Sequence, residues 1–410
     1  MSSDSTYGTA PTPPYLTAPE AAAELNVSLA TLYAYVSRGL IRSEARTGRR
    51  SRRYQAADVR ALARRKAPAD STRSAMETAL HWGGPVLESA ITLIGDGTVY
   101  YRGSDATRLA ADAGLEAVAG LIWDCRDADP FAAPPPAPPP GFAAARRAAA
   151  GLRPIERCQA LLPLIAGADL NAFNLTPTGV AHTGARLVRW IAAILADTEP
   201  SGDPAHRVLA RGMAADRPAA AALIRGALVL CADHELNAST FTVRCVASTG
   251  SSPYGAVLAG LAALQGPRHG GMTERVVAML PTLLAAPDPR ADLADRLRRG
   301  SDLTGFGHPL YPAGDPRARC LMALMDRAFP DDPMLDAAGR VAAAAAELAG
   351  RPPTLDFALA LLTHRLGMAD GSALGLFAAA RTVGWIGHAL EQYRGGRLIR
   401  PRARYTGVHP

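Results

Sequence analysis

Apolar residues recur every three or four positions along most of this chain, and short breaks rich in glycine and proline separate the segments. That spacing places the apolar side chains on one face of an α-helix. From Asp105 onward such segments follow one another to the C-terminus, so the pattern predicts an all-α body. One break, residues 134–140 (PPPAPPP), cannot be helical and is expected to form an exposed polyproline loop.

A short stretch before this body has a different pattern. Residues 89–94 (SAITLI) and 99–101 (VYY) are consistent with two short strands. Asp96-Gly97 lies between them, and this dipeptide is typical of a two-residue hairpin turn. We therefore expect a short β-hairpin at the start of the body.

The first residues form a separate region. Residues 1–14 are polar and rich in proline, which predicts a disordered tail. Thr17 and Glu20 form a capping box with a proline in the first turn, and Ser28 can cap a second helix that stops at Gly39. A basic hairpin and a third helix are expected to follow, at residues 41–54 and 56–65. The predicted unit is 15–67, and the small polar residues 68–74 (PADSTRS) have the composition of a linker.

The 15–67 unit resembles the helix-turn-helix of MerR- and excisionase-like DNA-binding domains, chiefly in LTAPEAAAELNVSLATLYAYVSRGLI. The resemblance implies a small winged helix-turn-helix domain whose 28–37 helix enters a DNA groove. The implied groove contacts are Ser28, Thr31, Tyr33 and Tyr35, and the implied phosphate contacts are Arg49, Arg50, Arg52 and Arg53. The alternative is a helical appendage for dimer packing, with the arginines on a solvated face.

The distribution of charge and the number and spacing of cysteines indicate which partners, compartments and metal sites are expected. Residues 1–67 carry eleven basic and five acidic side chains, and thus six of the seven net positive charges, which suggests a polyanion or anionic surface as partner for this region. The five cysteines form no CxxC pair, which favours a reducing compartment and disfavours a zinc site. No signal peptide is evident, and no apolar run approaches the roughly 20 residues of a membrane span. We expect a cytoplasmic protein without metal or membrane.

Four polar clusters interrupt the apolar helices, where charge is costly unless it is paired or used. They are ADHELNAST (232–240), GPRHGG (266–271), GFGHPLYPAGDPRA (305–318) and PTLDFA (353–358). Each has a structural interpretation on its own: His234 as a core histidine, His269 at a helix end, His308 in a turn, and Asp356 as a helix cap.

In order and spacing, the four clusters resemble the citrate synthase family. ESAITLIGDGTVYYRG near the start and RTVGWIGHALEQYRGGRLIRPRARYTG at the end extend the resemblance over about residues 75–410. It implies the citrate synthase fold, with a large helical subdomain at about 75–271 and 380–410 and a small one at about 272–379. It also implies condensation of acetyl-CoA, or propionyl-CoA, with oxaloacetate and hydrolysis to citrate, or 2-methylcitrate, and CoA, with no bound cofactor.

This chemistry needs one base and two hydrogen-bond donors. The resemblance assigns the base to Asp356, the donor to the enolate oxygen to His269, and the donor to the ketone oxygen of oxaloacetate to His308. A dicarboxylate also needs cations, and the arginine fork suits carboxylates. The implied oxaloacetate-binding residues are His234, Arg317, Arg381 and Arg400. The family's equivalent of Arg400 reaches the neighbouring subunit's site, which implies a homodimer.

Three positions depart from the family's pattern. Arg268 stands where leucine is common, Pro309 stands where arginine is common, and Phe-Ala-Leu replaces Phe-Tyr-Ser after Asp356. Arg268 is expected either to disfavour the charged form of His269 or to meet a CoA phosphate, and Pro309 removes a donor near the 2-oxo acid. An alternative function is that of a transcription regulator, in which a citrate-synthase-like body senses a metabolite and the basic head binds DNA.

Overall fold

The computed structural model describes residues 15–25, 27–45, 52–59, 62, 87–125, 129–403 and 405–408. The chain divides into two compact units, Met1–Glu88 and Ser89–Pro410. The predicted tail at 1–14, the linker at 68–74, and both Arg49 and Arg50 lie outside the described residues. The boundaries proposed for the large and small helical subdomains stay predictions.

The first unit combines two helices with a small sheet. In chain order its elements are β1 (Tyr15–Leu16), α1 (Ala18–Glu24), α2 (Leu29–Ser37), β2 (Ser43–Ala45) and β3 (Arg52–Gln55), followed by helical residues 56–59. The antiparallel sheet has the order β1-β3-β2. The Thr17 N–H donates to the Glu20 carboxylate at 2.7 Å, and Ser28 Oγ accepts from the Thr31 N–H at 3.3 Å. Both predicted helix starts are therefore confirmed, and the pairing of residues 43–45 with 52–54 confirms the hairpin over its described residues.

Helix α2 has a buried and an exposed face. Leu32 and Tyr35 point into the core of the unit, where they join Ile41 and Tyr54. Tyr33 lies on the other face and is 52% exposed. The expectation that Tyr35 approaches a DNA groove is therefore wrong, because residues three apart share a helix face and Leu32 fixes that face as the buried one.

The second unit is mainly helical and begins with a small sheet of order β4-β5-β6. Its strands are β4 (Thr92–Gly95), β5 (Thr98–Tyr101) and β6 (Ser104–Asp105). Its helices are α3 (Ala106–Asp112), α4 (Leu115–Trp123), α5 (Phe142–Ala148), α6 (Pro154–Ala168), α7 (Pro177–Leu195), α8 (Ala205–Met213), α9 (Ala220–Cys231), α10 (Ala238–Ala247), α11 (Pro253–Leu264), α12 (Gly271–Leu284), α13 (Pro289–Arg298), α14 (Pro316–Ala328), α15 (Pro333–Ala349), α16 (Leu355–Arg365) and α17 (Ser372–Gly395), with a 3₁₀ turn at Leu170–Phe173.

The predicted hairpin and polyproline loop are both present. β4 and β5 pair antiparallel around Asp96 and Gly97, whose φ angles of 51° and 69° are those of a type I′ turn. The third strand, β6, was not predicted. Residues 134–139 lack regular structure and are mostly exposed. The predicted all-α body is confirmed.

Helix α17 forms the centre of the core. Every residue from Ser372 to Leu390 is buried, and the helix packs against α4, α7, α9, α10 and α11. A helix that is buried all round belongs to the interior of a large domain. Within the described part of the chain, no helix is long and apolar enough to span a bilayer.

Candidate active site

Asp356 lies in the first turn of α16, two residues after the N-cap Thr354. Its carboxylate accepts a short hydrogen bond from the hydroxyl of Thr273, which lies in the first turn of α12. Burial raises the pKa of Asp356, although the Thr273 hydroxyl and the charge of Arg317 act against that rise. The side chain is thus held between two helix starts and is more basic than an ordinary aspartate.

His269 lies just before α12, with its Nε2 2.8 Å from Ser239 Oγ. Burial, with a further contribution from Arg381, lowers the pKa of His269 to about 4, so the ring is neutral at pH 7. Arg268 is exposed, and the depressed pKa does not come from it. The expectation that Arg268 disfavours the charged form of His269 is therefore wrong.

The Ser239 hydroxyl determines which nitrogen of His269 carries the proton. Ser239 Oγ accepts from the Trp385 indole N–H at 3.2 Å, donates to Asn237 Oδ1 at 2.8 Å and lies 2.8 Å from His269 Nε2. A hydroxyl has one proton to give. If Ser239 donates it to His269, the ring keeps its proton on Nδ1 and can donate from there; if Ser239 donates to Asn237, the ring proton is on Nε2.

His308 lies in the turn before α14. Its Nδ1 accepts the Leu310 N–H at 3.2 Å, which places the proton of the neutral ring on Nε2 as a donor. Burial, with the charge of Arg317, lowers the pKa of His308 to about 4. The ring stands edge-on to His234, with centroids 5.4 Å apart.

His234 follows the C-terminal end of α9 and is only 9% exposed. Its Nε2 lies 2.7 Å from the hydroxyl of Tyr311. Burial and then the charges of Arg317 and Arg381 hold the pKa of His234 well below its usual value. All three histidine rings of the site are therefore neutral at pH 7.

Arg317 in the first turn of α14 is buried and paired with Asp315. The Nε and Nη2 nitrogens lie 3.0 and 2.8 Å from the two Asp315 carboxylate oxygens. Burial alone would lower the pKa of Arg317, but Asp315 raises it, and the guanidinium stays charged. Asp315 also accepts the Leu355 N–H at 3.1 Å, which ties it to the start of the helix that carries Asp356.

Arg381, in the middle of α17, is 1% exposed. Its Nε donates to the Cys231 carbonyl oxygen at 2.9 Å, and the guanidinium carbon lies 4.7 Å from the centroid of the Phe377 ring. Its charge contributes to the depressed pKa values of both His234 and His269. A second buried cation therefore acts on the same group of neutral rings as Arg317.

Arg400 lies apart from the other predicted residues. It is exposed in the irregular segment after α17, where the neighbouring Ile399 N–H donates to Ser248 Oγ at 3.1 Å. Within the described residues, no hydrogen bond or ion pair joins it to the other six predicted site residues. The structure of the single chain therefore groups six of the seven.

Four supporting residues were not predicted as site residues: Ser239, Thr273, Tyr311 and Asp315. Each binds one predicted residue directly through its side chain. Three lie inside the polar clusters of the sequence, and Thr273 lies just after the GPRHGG cluster, in the first turn of α12. Among the described residues, no group of three or more His, Cys, Asp or Glu side chains is placed to hold a metal ion.

The sequence comparison decides the family. The family model described as Citrate synthase, C-terminal domain, matches residues 79–402. The chain belongs to the citrate synthase family. A helix-turn-helix domain model matches residues 15–67.

Citrate synthase family members of known name align with part of the chain. It is 39% identical to citrate synthase 2 of Bacillus subtilis over 184 residues, which are 44% of this chain and 50% of that protein. It is 34% identical to 2-methylcitrate synthase of Shewanella oneidensis over 190 residues, 45% of this chain and 50% of that protein. The chain thus spans about half the length of the curated relatives it matches.

Solved citrate synthases share the fold. The citrate synthase from Thermotoga maritima superposes with a TM-score of 0.69 at 25% identity, over 80% of this chain and 95% of that chain. The ternary complex of the Thermoplasma acidophilum citrate synthase with carboxymethyl coenzyme A and oxaloacetate gives 0.65 at 22% identity, with the same coverage. The citrate synthase fold expected for the body is therefore confirmed.

The predicted DNA-contacting residues that the structure describes lie on two elements of the first unit, α2 with its N-cap and β3. Ser28 and Thr31 share the cap of α2, with their hydroxyl oxygens 2.9 Å apart. Arg52 and Arg53 are exposed on β3. Arg53 pairs with Glu44 at 3.0 Å and covers the Tyr15 ring at 4.2 Å, so part of its charge is already neutralised.

Proposed function

We propose that this citrate synthase family member joins an acyl-CoA to oxaloacetate and hydrolyses the resulting thioester. The observation that carries the proposal is the grouping of Asp356, whose pKa is raised, with the neutral rings of His269 and His308 and the buried cations of Arg317 and Arg381. This set matches what the reaction needs: one base, two donors and cations for a dicarboxylate.

Each group has a distinct step. Asp356 removes a proton from the carbon beside the thioester, and the Thr273 hydroxyl holds the carboxylate in place. His269 donates from Nδ1 to the enolate oxygen once the Ser239 hydroxyl turns its proton from Asn237 Oδ1 to His269 Nε2, which keeps the ring proton on Nδ1. His308 donates from Nε2 to the ketone oxygen of oxaloacetate, which becomes an alkoxide as the carbon–carbon bond forms.

Oxaloacetate is bound through its carboxylates and keto group. Arg317 and Arg381 supply buried positive charge, His234 supplies a neutral ring nitrogen fixed by Tyr311, and Arg400 is proposed to come from a second subunit of a homodimer. Acetyl-CoA and propionyl-CoA are both candidate acyl donors. Because all five cysteines are free, we place the reaction in the reducing environment of the cytoplasm.

The test is release of free CoA thiol from acetyl-CoA and from propionyl-CoA, each with and without oxaloacetate. We expect thiol release that requires oxaloacetate, with citrate or 2-methylcitrate as the product detected by mass spectrometry. Two results would contradict the proposal: thioester hydrolysis that proceeds equally without oxaloacetate, and no release of CoA thiol from either thioester.

A second candidate function is DNA binding by residues 15–67. It is favoured by the match to a helix-turn-helix model and by an exposed face of α2, formed by Leu29, Tyr33 and Ser37, in a unit that also carries the exposed Arg52 and Arg53. In this second function, ligand binding by the citrate-synthase-like body would regulate DNA binding by residues 15–67. The same protein could both catalyse the reaction and act as a regulator.

We predict that the full chain binds duplex DNA with an affinity that falls steeply with salt, and that deletion of residues 1–67 abolishes it. Each DNA phosphate that the protein no longer neutralises makes the slope of log K against log salt shallower by about 0.9. A matched variant with Arg52 and Arg53 changed to glutamine should therefore bind with a shallower slope in a fluorescence anisotropy titration. If DNA binding does not depend on salt, or persists after the deletion, residues 15–67 are not the DNA-binding unit and serve in packing.

A further inference from the structure

A group of buried polar side chains outside the proposed catalytic set surrounds His388 on α17. His388 and Asp233 are both fully buried. Nε2 of His388 lies 3.4 Å from each of the two carboxylate oxygens of Asp233, and its Nδ1 lies 3.9 Å from Glu391 Oε2. An imidazole is thus enclosed between two carboxylates inside the protein.

Both carboxylates are tied to other elements. Glu391 pairs with Arg244 of α10 at 3.1 Å and accepts the Ala90 N–H at 2.8 Å. Asp233 accepts from the Thr92 hydroxyl on β4 at 2.6 Å. Glu391 and Asp233 thus each bind a residue at the start of the N-terminal hairpin, Ala90 or Thr92, and His388 on α17 lies beside both carboxylates.

The Asp233 side belongs to the turn that carries His234. Three contacts fasten residues 231–235 to α17. They are Arg381 Nε to the Cys231 carbonyl at 2.9 Å, the Gly384 N–H to the Ala232 carbonyl at 3.0 Å, and His388 to the Asp233 carboxylate. Asp233 also accepts the Glu235 N–H at 3.1 Å, and Glu235 has a φ of 55°, which makes the turn sharp. The direction of His234 therefore depends on where Asp233 is held.

Asp233 needs donors because it is an anion in a dry setting. Burial alone would raise the pKa of Asp233, but His388, Arg381 and Thr92 together hold it below its usual value. Among the described residues, Oδ1 of Asp233 has no hydrogen-bond partner, whereas Oδ2 is bonded to His388 Nε2, which also lies 3.4 Å from Oδ1. Without the His388 ring, the carboxylate would lose one donor at Oδ2 and the N–H group that lies nearest to its unpaired Oδ1.

We propose that His388 is a positioning residue whose ring, enclosed between Asp233 and Glu391, fixes the Asp233 carboxylate and so directs His234 and Arg381 toward the 2-oxo acid. The inference rests on the proposed function for its kinetic readout, and it adds a residue that acts through Asp233 on the substrate-binding His234. His388 itself touches no substrate atom in this scheme.

The kinetic test compares His388→Asn with His388→Gln. The glutamine amide reaches about as far as Nε2 and can donate to Asp233, whereas the asparagine amide is one methylene shorter. We expect His388→Asn to raise KM for oxaloacetate about tenfold, as expected for losing one hydrogen bond to a charged group, and to leave KM for the acyl-CoA unchanged. His388→Gln should restore most of the wild-type value. The matched control is His206→Asn, because His206 is a half-buried histidine on helix α8, outside the proposed site.

A second measurement judges the positioning role without any turnover. Hydrogen exchange of the peptide covering residues 228–237 should be faster in His388→Asn than in the wild type and close to wild type in His388→Gln. If the wild-type protein releases no thiol, the proposed function fails while the exchange result still decides the role of His388. If His388→Asn does not fold, Thr92→Val, which removes the other side-chain donor to Asp233, must speed exchange of the same peptide.

Three outcomes would overturn the inference. They are unchanged exchange in the 228–237 peptide, an equal rise in KM for both substrates, and a glutamine variant no better than the asparagine variant. The second would mean general loosening of the fold, and the third would mean that the imidazole ring fills space without serving as a donor.

Discussion

Replacing Asp356 with asparagine is expected to lower kcat for thiol release by about 10²–10⁴-fold, the usual contribution of a positioned general base. Asparagine keeps the size of the side chain and can still accept from the Thr273 hydroxyl, so α12 and α16 should stay in place. What is lost is the basic oxygen whose pKa burial raises. Steady-state rates with saturating acyl-CoA and oxaloacetate measure the loss.

The matched control is Asp336→Asn, since Asp336 also lies in the first turn of a helix, α15, but is exposed. That variant should keep the wild-type kcat. Binding of oxaloacetate to Asp356→Asn, followed by calorimetry, should be close to wild type because the buried arginines are intact. An Asp356→Asn enzyme with wild-type kcat would assign the base to another residue.

Gly384→Ala is expected to be the most damaging single methyl addition in α17. A Cβ at this position would stand 2.5 Å from the Ala232 carbonyl oxygen and still closer to a carboxylate oxygen of Asp233, and these are distances that real Cβ atoms do not show. Overpacking typically costs about 1–3 kcal/mol, and here the displaced atoms include a buried carboxylate that would lose its donors. We expect the free energy of unfolding to fall by at least that range and KM for oxaloacetate to rise.

Urea denaturation of Gly384→Ala against Gly339→Ala isolates the steric effect. Gly339 lies inside α15, and a Cβ there would meet nothing within 4 Å. The control should be unchanged or up to about 1 kcal/mol more stable, because alanine favours helix over glycine. Equal stability of the two variants would mean that the 231–235 turn can move away from α17 without cost.

Local signals in the sequence predicted the elements that are fixed locally. Thr17 and Glu20 are three residues apart, Asp96-Gly97 is a turn dipeptide, and both predictions needed only neighbouring residues. Tyr35 was assigned to the wrong face because the choice depends on Ile41 and Tyr54, which reach α2 only after the chain folds back. Pairing with the distant strand β3 likewise explains why β1 was not predicted, whereas β6 pairs with the adjacent β5 and is only two residues long, too short for a strand pattern in the sequence.

The same division applies to the candidate site. The polar clusters made His269, His308 and Asp356 visible, since each interrupts an apolar run. The partners that set their protonation could not be assigned from the sequence, because Ser239 lies 30 residues from His269 and Thr273 lies 83 residues from Asp356. The expectation that Arg268 disfavours the charged form of His269 was wrong for the same reason. The cation that lowers the pKa of His269 is Arg381, more than 100 residues away along the chain.

Asp315 has a consequence for any attempt to change the oxo acid that the proposed site accepts. Its carboxylate holds the Arg317 guanidinium with two hydrogen bonds and the first amide of α16 with one, so the proposed dicarboxylate clamp and the proposed base share a single support. Substitutions at Arg317 and Asp356 should therefore be strongly non-additive in double-mutant cycles. A library that diversifies Arg317 alone will also misplace the base, and selection for a new substrate would have to redesign both together.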